Sequence, residues 1–368
     1  MKFLLTCSAG LEAILKKEIE KQGGIITQTK DRLVFFEGPI ELMAKLNLWS
    51  RVGNKLYLVL NSKKNIDNFD KLYDLVYEID WKKYINRYYR VVTKATSIKS
   101  KLTSTPALQS ITKKAIVDKM TSKSGNKMPE EDSKPIFEVL SFLIEDETFI
   151  LLNTSGETLY KRGYKTDTGE APIKESLAAA LIILSNWKFD TPFYDIFCGS
   201  GTIAIEAALF AKNIAPGLFR YFAFEDWNLL PENYFFNLRK EAKEKIFKKN
   251  YNIIASDIDQ EVLTKAIQNA KNAKVEDSIK FELKDFKDYK TEKLSGTLIS
   301  NPPYGLRLKE DNIKNMYENI DFILQKNKDL SGGIITSYTE FNQIIKQKNY
   351  KNRKLYNGNE LAYFYLKK

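Results

Sequence analysis

The chain has 368 residues, two cysteines and no histidine, and its 58 basic and 47 acidic side chains give a formal charge of +11. Without histidine there is no Ser-His-Asp triad and no imidazole base, and Cys7 and Cys198 alone supply neither a zinc site nor a disulfide framework, so no metal and a reducing cytoplasmic setting are expected. No apolar run reaches the roughly 20 residues of a transmembrane helix, and the 43% hydrophobic fraction is that of a globular chain with room for two or three domains.

Lys2 and the apolar residues after it faintly echo a signal peptide. The pattern turns amphipathic at Leu11, Ile14, Leu15 and Ile19. The segment therefore reads as a strand over 2–6 and a helix over 8–22 stopped by Gly23-Gly24, on a retained N-terminus. Strands are expected over 32–36, 54–60 and 90–95, with helices over 39–46 and 67–79 between them. A helix over 105–120 carries Ala107, Leu108, Ile111, Ala115 and Ile116 on one face. Strands over 136–144 and 148–153 complete this half. Such dense interleaving predicts two small α/β units in tandem. The stretch 121–132 is polar, contains Gly125 and Pro129, and reads as a loop; 160–170 is the main joint.

Beyond the joint, strand and helix signals alternate. Helices are expected over 173–184, 202–210, 260–270 and 313–325, and strands over 192–195, 251–256, 279–283, 297–300 and 333–337. Repeated strand–helix units predict a parallel sheet with helices on both faces. Charge is uneven: residues 1–165 hold 28 basic and 20 acidic side chains, a net of +8, and the remainder 30 and 27, a net of +3. The basic first half suits a polyanion such as nucleic acid; the bland alternative is a lysine-rich chain with solvated lysines everywhere.

In doubly wound sheets, ligands bind outside the carboxyl ends of the strands. Four of these ends carry polar motifs. The first is Asp195-Ile196-Phe197-Cys198-Gly199-Ser200-Gly201-Thr202, where two glycines let a ligand approach the backbone and the acid can accept from an ammonium. It is neither a phosphate loop nor G-x-G-x-x-G, and a tight turn that needs glycine is the plain alternative. The second is Asp257 in Ser256-Asp257-Ile258-Asp259: Asp257 suits a ribose diol and Asp259 suits a helix N-cap, with an insertion over 213–249 separating them from Asp195. The third is Asp285 before Phe286, an acid placed to accept from an adenine amino group.

The fourth is Asn301-Pro302-Pro303-Tyr304-Gly305. Two prolines after a buried strand cannot continue a sheet; they stiffen the chain and leave carbonyls free. The Asn301 amide oxygen and the Pro302 carbonyl could accept both hydrogens of one exocyclic amine, while Tyr304 stacks on the base that bears it. Such acceptors hold the nitrogen nearer sp³ geometry and aim its lone pair at an electrophile. No base is needed before transfer, because the amine attacks neutral and loses its proton later. That chemistry suits a chain without histidine.

With these motifs in hand, the second half resembles the class I S-adenosylmethionine-dependent methyltransferases. Nearly the whole chain resembles the THUMP-containing guanine-N2 methyltransferases of 23S ribosomal RNA, in a form with a single methyltransferase domain. The resemblance rests on Thr6-Cys7-Ser8-Ala9-Gly10-Leu11-Glu12, on Ser97-Ile98-Lys99-Ser100-Lys101-Leu102 and on Lys114-Ala115-Ile116-Val117-Asp118. It rests also on Lys161-Arg162-Gly163-Tyr164, Ala171-Pro172-Ile173-Lys174-Glu175 and Cys198-Gly199-Ser200-Gly201-Thr202-Ile203-Ala204-Ile205-Glu206-Ala207-Ala208. Ala215-Pro216-Gly217, Phe224-Glu225-Asp226-Trp227 and Lys354-Leu355-Tyr356-Asn357-Gly358 are similar to further family markers.

The resemblance implies a Rossmann-like methyltransferase domain over 171–368, preceded by a ferredoxin-like segment over 1–55, a THUMP domain over 56–158 that grips RNA, and a linker over 159–170. It implies that Asp195, Gly199 and Gly201 hold the amino-acid end of S-adenosylmethionine, Asp257 its ribose and Asp285 its adenine. Cys198, Thr202, Ile258, Phe286 and Asn301 are counted with them. Asn301, Pro302, Pro303 and Tyr304 would hold the guanine, flipped out of its stem. The RNA contacts expected are Lys94, Lys99, Ser100, Lys101, Lys113 and Lys114, with Arg307 either on a phosphate or paired with Glu310. Ile196 stands where the family pattern has proline. Larger members carry a second domain that makes 7-methylguanine; the chain ends at Lys368, so that activity, if it exists here, is expected from another chain. The rivals are the same chemistry on transfer RNA, adenine-N6 methylation of DNA, and a non-catalytic RNA-binding protein that assists ribosome assembly. The intact loops argue against the last.

Overall fold

The computed structural model describes residues 1–84, 89–121, 136–165, 173–303, 310–345 and 350–367. The loop expected over 121–132 lies outside these residues from 122 onward, as do Thr166-Asp167-Thr168-Gly169-Glu170 and Ala171-Pro172 of the joint. Among the described residues no helix is long and apolar enough to cross a membrane.

The two small α/β units expected in the first half share one continuous sheet. Its strands are β1 (Lys2–Cys7), β2 (Ile25–Lys30), β3 (Leu33–Glu37), β4 (Gly53–Lys64), β5 (Arg90–Ile98), β6 (Ile136–Ile144) and β7 (Glu147–Asn153), in the order β2-β3-β1-β4-β7-β6-β5. Strand β4 makes the join. It pairs with β1 over its first residues and with β7 from Tyr57 to Lys64. The ladder to β7 keeps the polar run Asn61-Ser62-Lys63-Lys64 extended, although that run has no strand propensity of its own.

Helices α1 (Glu12–Lys21), α2 (Leu42–Trp49), α3 (Phe69–Tyr77) and α4 (Thr105–Thr121) supply the other layer. Alternation along β1 sends Phe3, Leu5 and Cys7 into the core that contains these helices, and Leu4 to the opposite face. On that face Phe35 of β3 and Phe149 of β7 meet with ring centroids 4.9 Å apart. Three strand spacings, about 14 Å in a flat sheet, separate their strands. Lys30 of β2 likewise lies 3.8 Å from Glu147 of β7. The sheet therefore curls, and this face closes over its own aromatic side chains.

The second half contains α5 (Glu175–Ser185), β8 (Phe193–Asp195), α6 (Thr202–Ala211), α7 (Tyr234–Glu244), β9 (Ile253–Asp257), α8 (Gln260–Asn272), β10 (Ile279–Leu283) and β11 (Gly296–Ser300). It continues through α9 (Glu310–Lys326), β12 (Leu330–Thr336), α10 (Phe341–Ile344), β13 (Tyr350–Asn357) and β14 (Glu360–Lys367). The order is β10-β9-β8-β11-β12-β14-β13. Strands β8 to β12 are parallel as expected, but the sheet ends in an antiparallel hairpin, β13 and β14. Strand order reverses between β8 and β11, which opens a crevice at their carboxyl ends.

One apolar cluster joins the halves, from Phe3 and Leu56 through Leu48 and Ile214 to Ile203 and Ala255. Charged groups are buried within the joint. Arg162 Nε lies 3.5 Å from Glu206 Oε1, with the two side chains 2% and 0% exposed. Tyr164 donates to the same carboxylate, and Arg51 donates to the Ile214 carbonyl at 2.9 Å. Burial pushes the Glu206 carboxyl up while Arg162 and Arg51 draw it back down. Gly217 shows how close the halves sit: its N–H donates to the Leu48 carbonyl, and a Cβ there would lie 2.7 Å from the Asn47 carbonyl oxygen. Glu206→Gln would leave Arg162 buried without its counter-charge. A loss of about 3–5 kcal/mol is expected, read as a lower urea midpoint at unchanged slope; an unmoved midpoint would contradict the coupling.

Candidate active site and nucleic-acid surface

The ends of β8, β9, β10 and β11 bring most of the expected cofactor residues to one crevice. Asp195 ends β8 and is 1% exposed. Its Oδ1 accepts from the Ser300 hydroxyl at 2.6 Å, and its Oδ2 is buried without a hydrogen-bond partner. Burial pushes the carboxyl up to about 7, with hydrogen bonds from the Ser300 hydroxyl and the Phe197 N–H pulling the other way. An unused acceptor on a buried acid suits an ammonium donor.

The glycine turn is shaped by left-handed backbone at Gly199 (φ +53°) and Gly201 (φ +82°). A Cβ at Gly201 would press on Ala266 of α8 at 3.1 Å, whereas nothing lies within 4 Å of one at Gly199. The first glycine thus faces open space and the second lets α6 pack on α8. Cys198 is buried, and burial holds its thiol protonated well above the usual range, so it offers the site backbone rather than chemistry. Thr202 opens α6 and is buried beside Ser200.

Asp257 ends β9, and its carboxylate supports the turn. Oδ2 accepts from the Gly199 N–H at 2.9 Å and Oδ1 from the Asp259 N–H at 3.1 Å. Each oxygen keeps a second lone pair, so a diol can still be held. Asp259 is the N-cap of α8, accepting from the Glu261 and Val262 N–H groups. Ile258 is 71% exposed at the strand end, an apolar surface beside the crevice. Asp285 caps the turn that follows it by accepting from the Lys287 N–H, a local use that the sequence reading did not weigh. Phe286 packs against Phe197 with centroids 4.7 Å apart.

Asn301, Pro302 and Pro303 leave β11 directly, beside Asp195, with Pro302 buried and the other two half-buried. Tyr304 and Arg307 lie outside the described residues. The sequence reading missed Ser300. A polar residue ending the apolar run Leu298-Ile299 was a visible signal for it. Phe197 lies within the glycine-turn motif, and its partner Phe286 is far along the chain, so no local pattern pairs them.

The expected RNA contacts do not form one patch. Val91 and Thr93 of β5 face α4, the latter donating to the Gln109 carbonyl, so alternation turns Lys94 to the opposite side from Lys113 and Lys114 on α4. Lys99 and Lys101 share an exposed loop at the end of β5, with Lys99 in left-handed backbone (φ +49°). That loop is fixed by its own bonds: Ser97 donates to the Leu102 carbonyl at 2.6 Å and the Lys101 N–H donates to Asp146 at 2.7 Å. Ser100 donates to the Ile98 carbonyl and accepts from the Asp146 N–H, which makes it a loop former first. Lys114 lies over the Tyr73 ring. Among the described residues no group of three or more acids or cysteines is placed to hold a metal.

Comparison with known proteins accounts for both halves. The family model described as the RMKL-like methyltransferase domain matches residues 162–362. The RlmL ferredoxin-like model matches 2–57 and the THUMP domain model 67–153. YpsC of Bacillus subtilis, provisionally named an RNA methyltransferase, is 38% identical over 359 residues, covering 96% of this chain and 92% of its own. The ribosomal RNA large subunit methyltransferase K/L of Buchnera aphidicola is 34% identical over 365 residues, 95% of this chain but 52% of its own, so the chain spans about half of that relative. SMU.472, provisionally named a methyltransferase and crystallised with SAH, superposes with a TM-score of 0.92 at 38% identity, over 99% of this chain and 97% of that one. The cofactor is S-adenosylmethionine, and the unpartnered Asp195 oxygen, the open turn at Gly199 and the diol-ready Asp257 fit it. Each half thus has its counterpart, and the chain belongs to the RMKL-like family of S-adenosylmethionine-dependent methyltransferases, with a ferredoxin-like segment and a THUMP domain ahead of its catalytic domain.

Proposed function

We propose that the chain methylates the exocyclic N2 of guanine in RNA, with large-subunit ribosomal RNA as substrate. The observation that carries this reading is the placement of Asn301-Pro302 beside Asp195 at the switch point, with Ser300 bonded to the acid between them. Hydrogen-bond acceptors for an exocyclic amine then adjoin the seat of a methyl donor. The THUMP domain and the basic first half support RNA, and the name of the Buchnera relative supports ribosomal RNA. A cytoplasmic site of action accords with this.

Bound S-adenosylmethionine supplies an electrophilic methyl on a positively charged sulfur. Asp195, the turn at Cys198, Gly199 and Gly201, and Thr202 hold its amino-acid end; Asp257 holds the ribose; Ile258, Asp285 and Phe286 border the adenine. The Asn301 amide oxygen and the Pro302 carbonyl accept the two amine hydrogens, Pro303 stiffens the loop, and Tyr304 stacks on the base. Arg307 holds a phosphate near the target. The new N–C bond forms as the S–C bond breaks, sulfur keeps that electron pair, and the surplus proton passes to solvent. Lys99 and Lys101, which share one exposed loop, contact phosphates and position the RNA without specifying sequence.

Labelled cofactor offered in parallel to purified ribosomal RNA, transfer RNA and DNA should mark large-subunit ribosomal RNA; label confined to transfer RNA or to DNA would overturn the substrate. Asn301→Ala should lower turnover by at least about 10²-fold, the cost of losing one preorganised hydrogen-bonding partner of the reacting group, with RNA affinity unchanged in a filter-binding assay. Asp257→Ala should weaken calorimetric affinity for S-adenosylhomocysteine about 10- to 100-fold, since charged hydrogen bonds are lost; unchanged affinity would remove the ribose assignment. Charge reversal of Lys99 and Lys101 should flatten the plot of log affinity against log salt by about one to two units, and an unaltered slope would move the RNA surface elsewhere.

A further inference from the structure

Ser300 is fully buried, and its hydroxyl serves three partners at once. It donates to Asp195 Oδ1 at 2.6 Å and accepts from the Ile196 N–H at 2.7 Å and the Phe197 N–H at 3.3 Å. Those partners lie on the far side of the switch point. The ladder between β8 and β11 runs through Phe193 and Tyr194, opposite Thr297 and Leu298, and goes no further. Past that point the strands part to form the crevice. There the buried N–H of Ile196 and the part-buried N–H of Phe197 would have no carbonyl opposite, which is costly. The Ser300 side chain replaces the missing rung, and its proton then has one direction left, toward Asp195.

We propose that Ser300 is a positioning residue for methyl transfer: its hydroxyl fixes Asp195 with one oxygen occupied and the other turned to the amine of the cofactor, and it ties that acid to the Asn301 loop that receives the target base. The proposal rests on the assignment of Asp195 to the amino-acid end of the cofactor. It adds a residue that touches neither ligand and sets how the acid meets the cofactor.

The arrangement has a signature in pH. The titratable groups facing Asp195 are Asp257 on β9, which pushes its carboxyl up, and the Cys198 thiol, which burial keeps neutral. On β11 the neighbour is the neutral Ser300 hydroxyl, and among the described residues no cation acts on the acid. The free carboxyl titrates at about 7, while an ammonium seated on it holds it ionised. Affinity should therefore be full above that value and fall as the pH drops through it, approaching tenfold per pH unit below it. Removing the Ser300 hydrogen bond, which lowers the titration point, should move the fall to higher pH.

The test is calorimetric binding of S-adenosylhomocysteine between pH 5.5 and 8 to wild type, Ser300→Ala, Ser300→Thr and Asp195→Asn. Wild type should lose affinity below about pH 7, Ser300→Ala should lose it from a higher pH, Ser300→Thr should keep the wild-type profile, and Asp195→Asn should bind weakly with no such dependence. If Asp195→Asn binds as wild type does, the assignment of the acid fails. If Asp195→Asn weakens binding but Ser300→Ala follows the wild-type profile, or is weakened equally at every pH, the role of Ser300 alone is overturned. A wild-type affinity that is flat across this range overturns it as well, even if Ser300→Ala does not fold.

Discussion

The structure turns on one buried ion pair. Glu206 sits in α6, immediately behind the glycine turn, and its carboxylate lies in the protein interior. A carboxylate there is tolerable only with a partner in place, and the partner is Arg162, from the segment that joins the two halves. Arg162 also donates to the carbonyls of Arg51 and Leu159, and Arg51 donates across to Ile214. Through Arg51, whose carbonyl accepts from Arg162, the first half helps to satisfy the helix behind the glycine turn. The THUMP domain and the methyltransferase crevice are thereby held as one piece, so the RNA contacts proposed at Lys99 and Asn301 would act at a fixed separation.

This coupling explains motifs that looked unrelated in the sequence. Lys161-Arg162-Gly163-Tyr164 and the cofactor helix through Glu206 are contact partners. Gly217 of Ala215-Pro216-Gly217 lies against Asn47 and Leu48. In Phe224-Glu225-Asp226-Trp227, the Phe224 N–H donates to the Thr154 carbonyl, the Asp226 carbonyl accepts from Tyr89, and Trp227 packs on Phe137. Arg353, next to the late marker at Lys354, donates to the Gly10 carbonyl of the opening one. The family markers outside the catalytic loops are in good part the two sides of a single joint.

What could be read from sequence was what short-range chemistry decides. The strand–turn–helix at Asp195 to Thr202, the cap at Asp259 and the proline break after Ser300 each follow from a few adjacent residues. Elements set by tertiary context escaped. Strand β2 buries none of its residues fully and shows no apolar alternation. Helix α7 buries only Ala242 fully along its length. The polar end of β4 is a strand because β7 holds it, and that pairing joins the strands of the two expected units into one sheet. The hairpin β13–β14 was legible as a marker and not as an edge. Within the site, Ser300 and Asp195 are 105 residues apart in sequence, a distance no local pattern spans. The scatter of the THUMP lysines over two sides of a sheet has the same origin, since charge in a sequence does not say which way a side chain points.

The central claim is that an Asn-Pro-Pro loop, set beside a cofactor acid, presents the exocyclic amine of guanine to a methyl donor. The most direct test is the identity of the methylated nucleoside. RNA methylated by the purified protein, digested to nucleosides and resolved by mass spectrometry against standards, is predicted to yield N2-methylguanosine. Label recovered as N6-methyladenosine, or as a guanosine methylated at a ring nitrogen, would contradict the account.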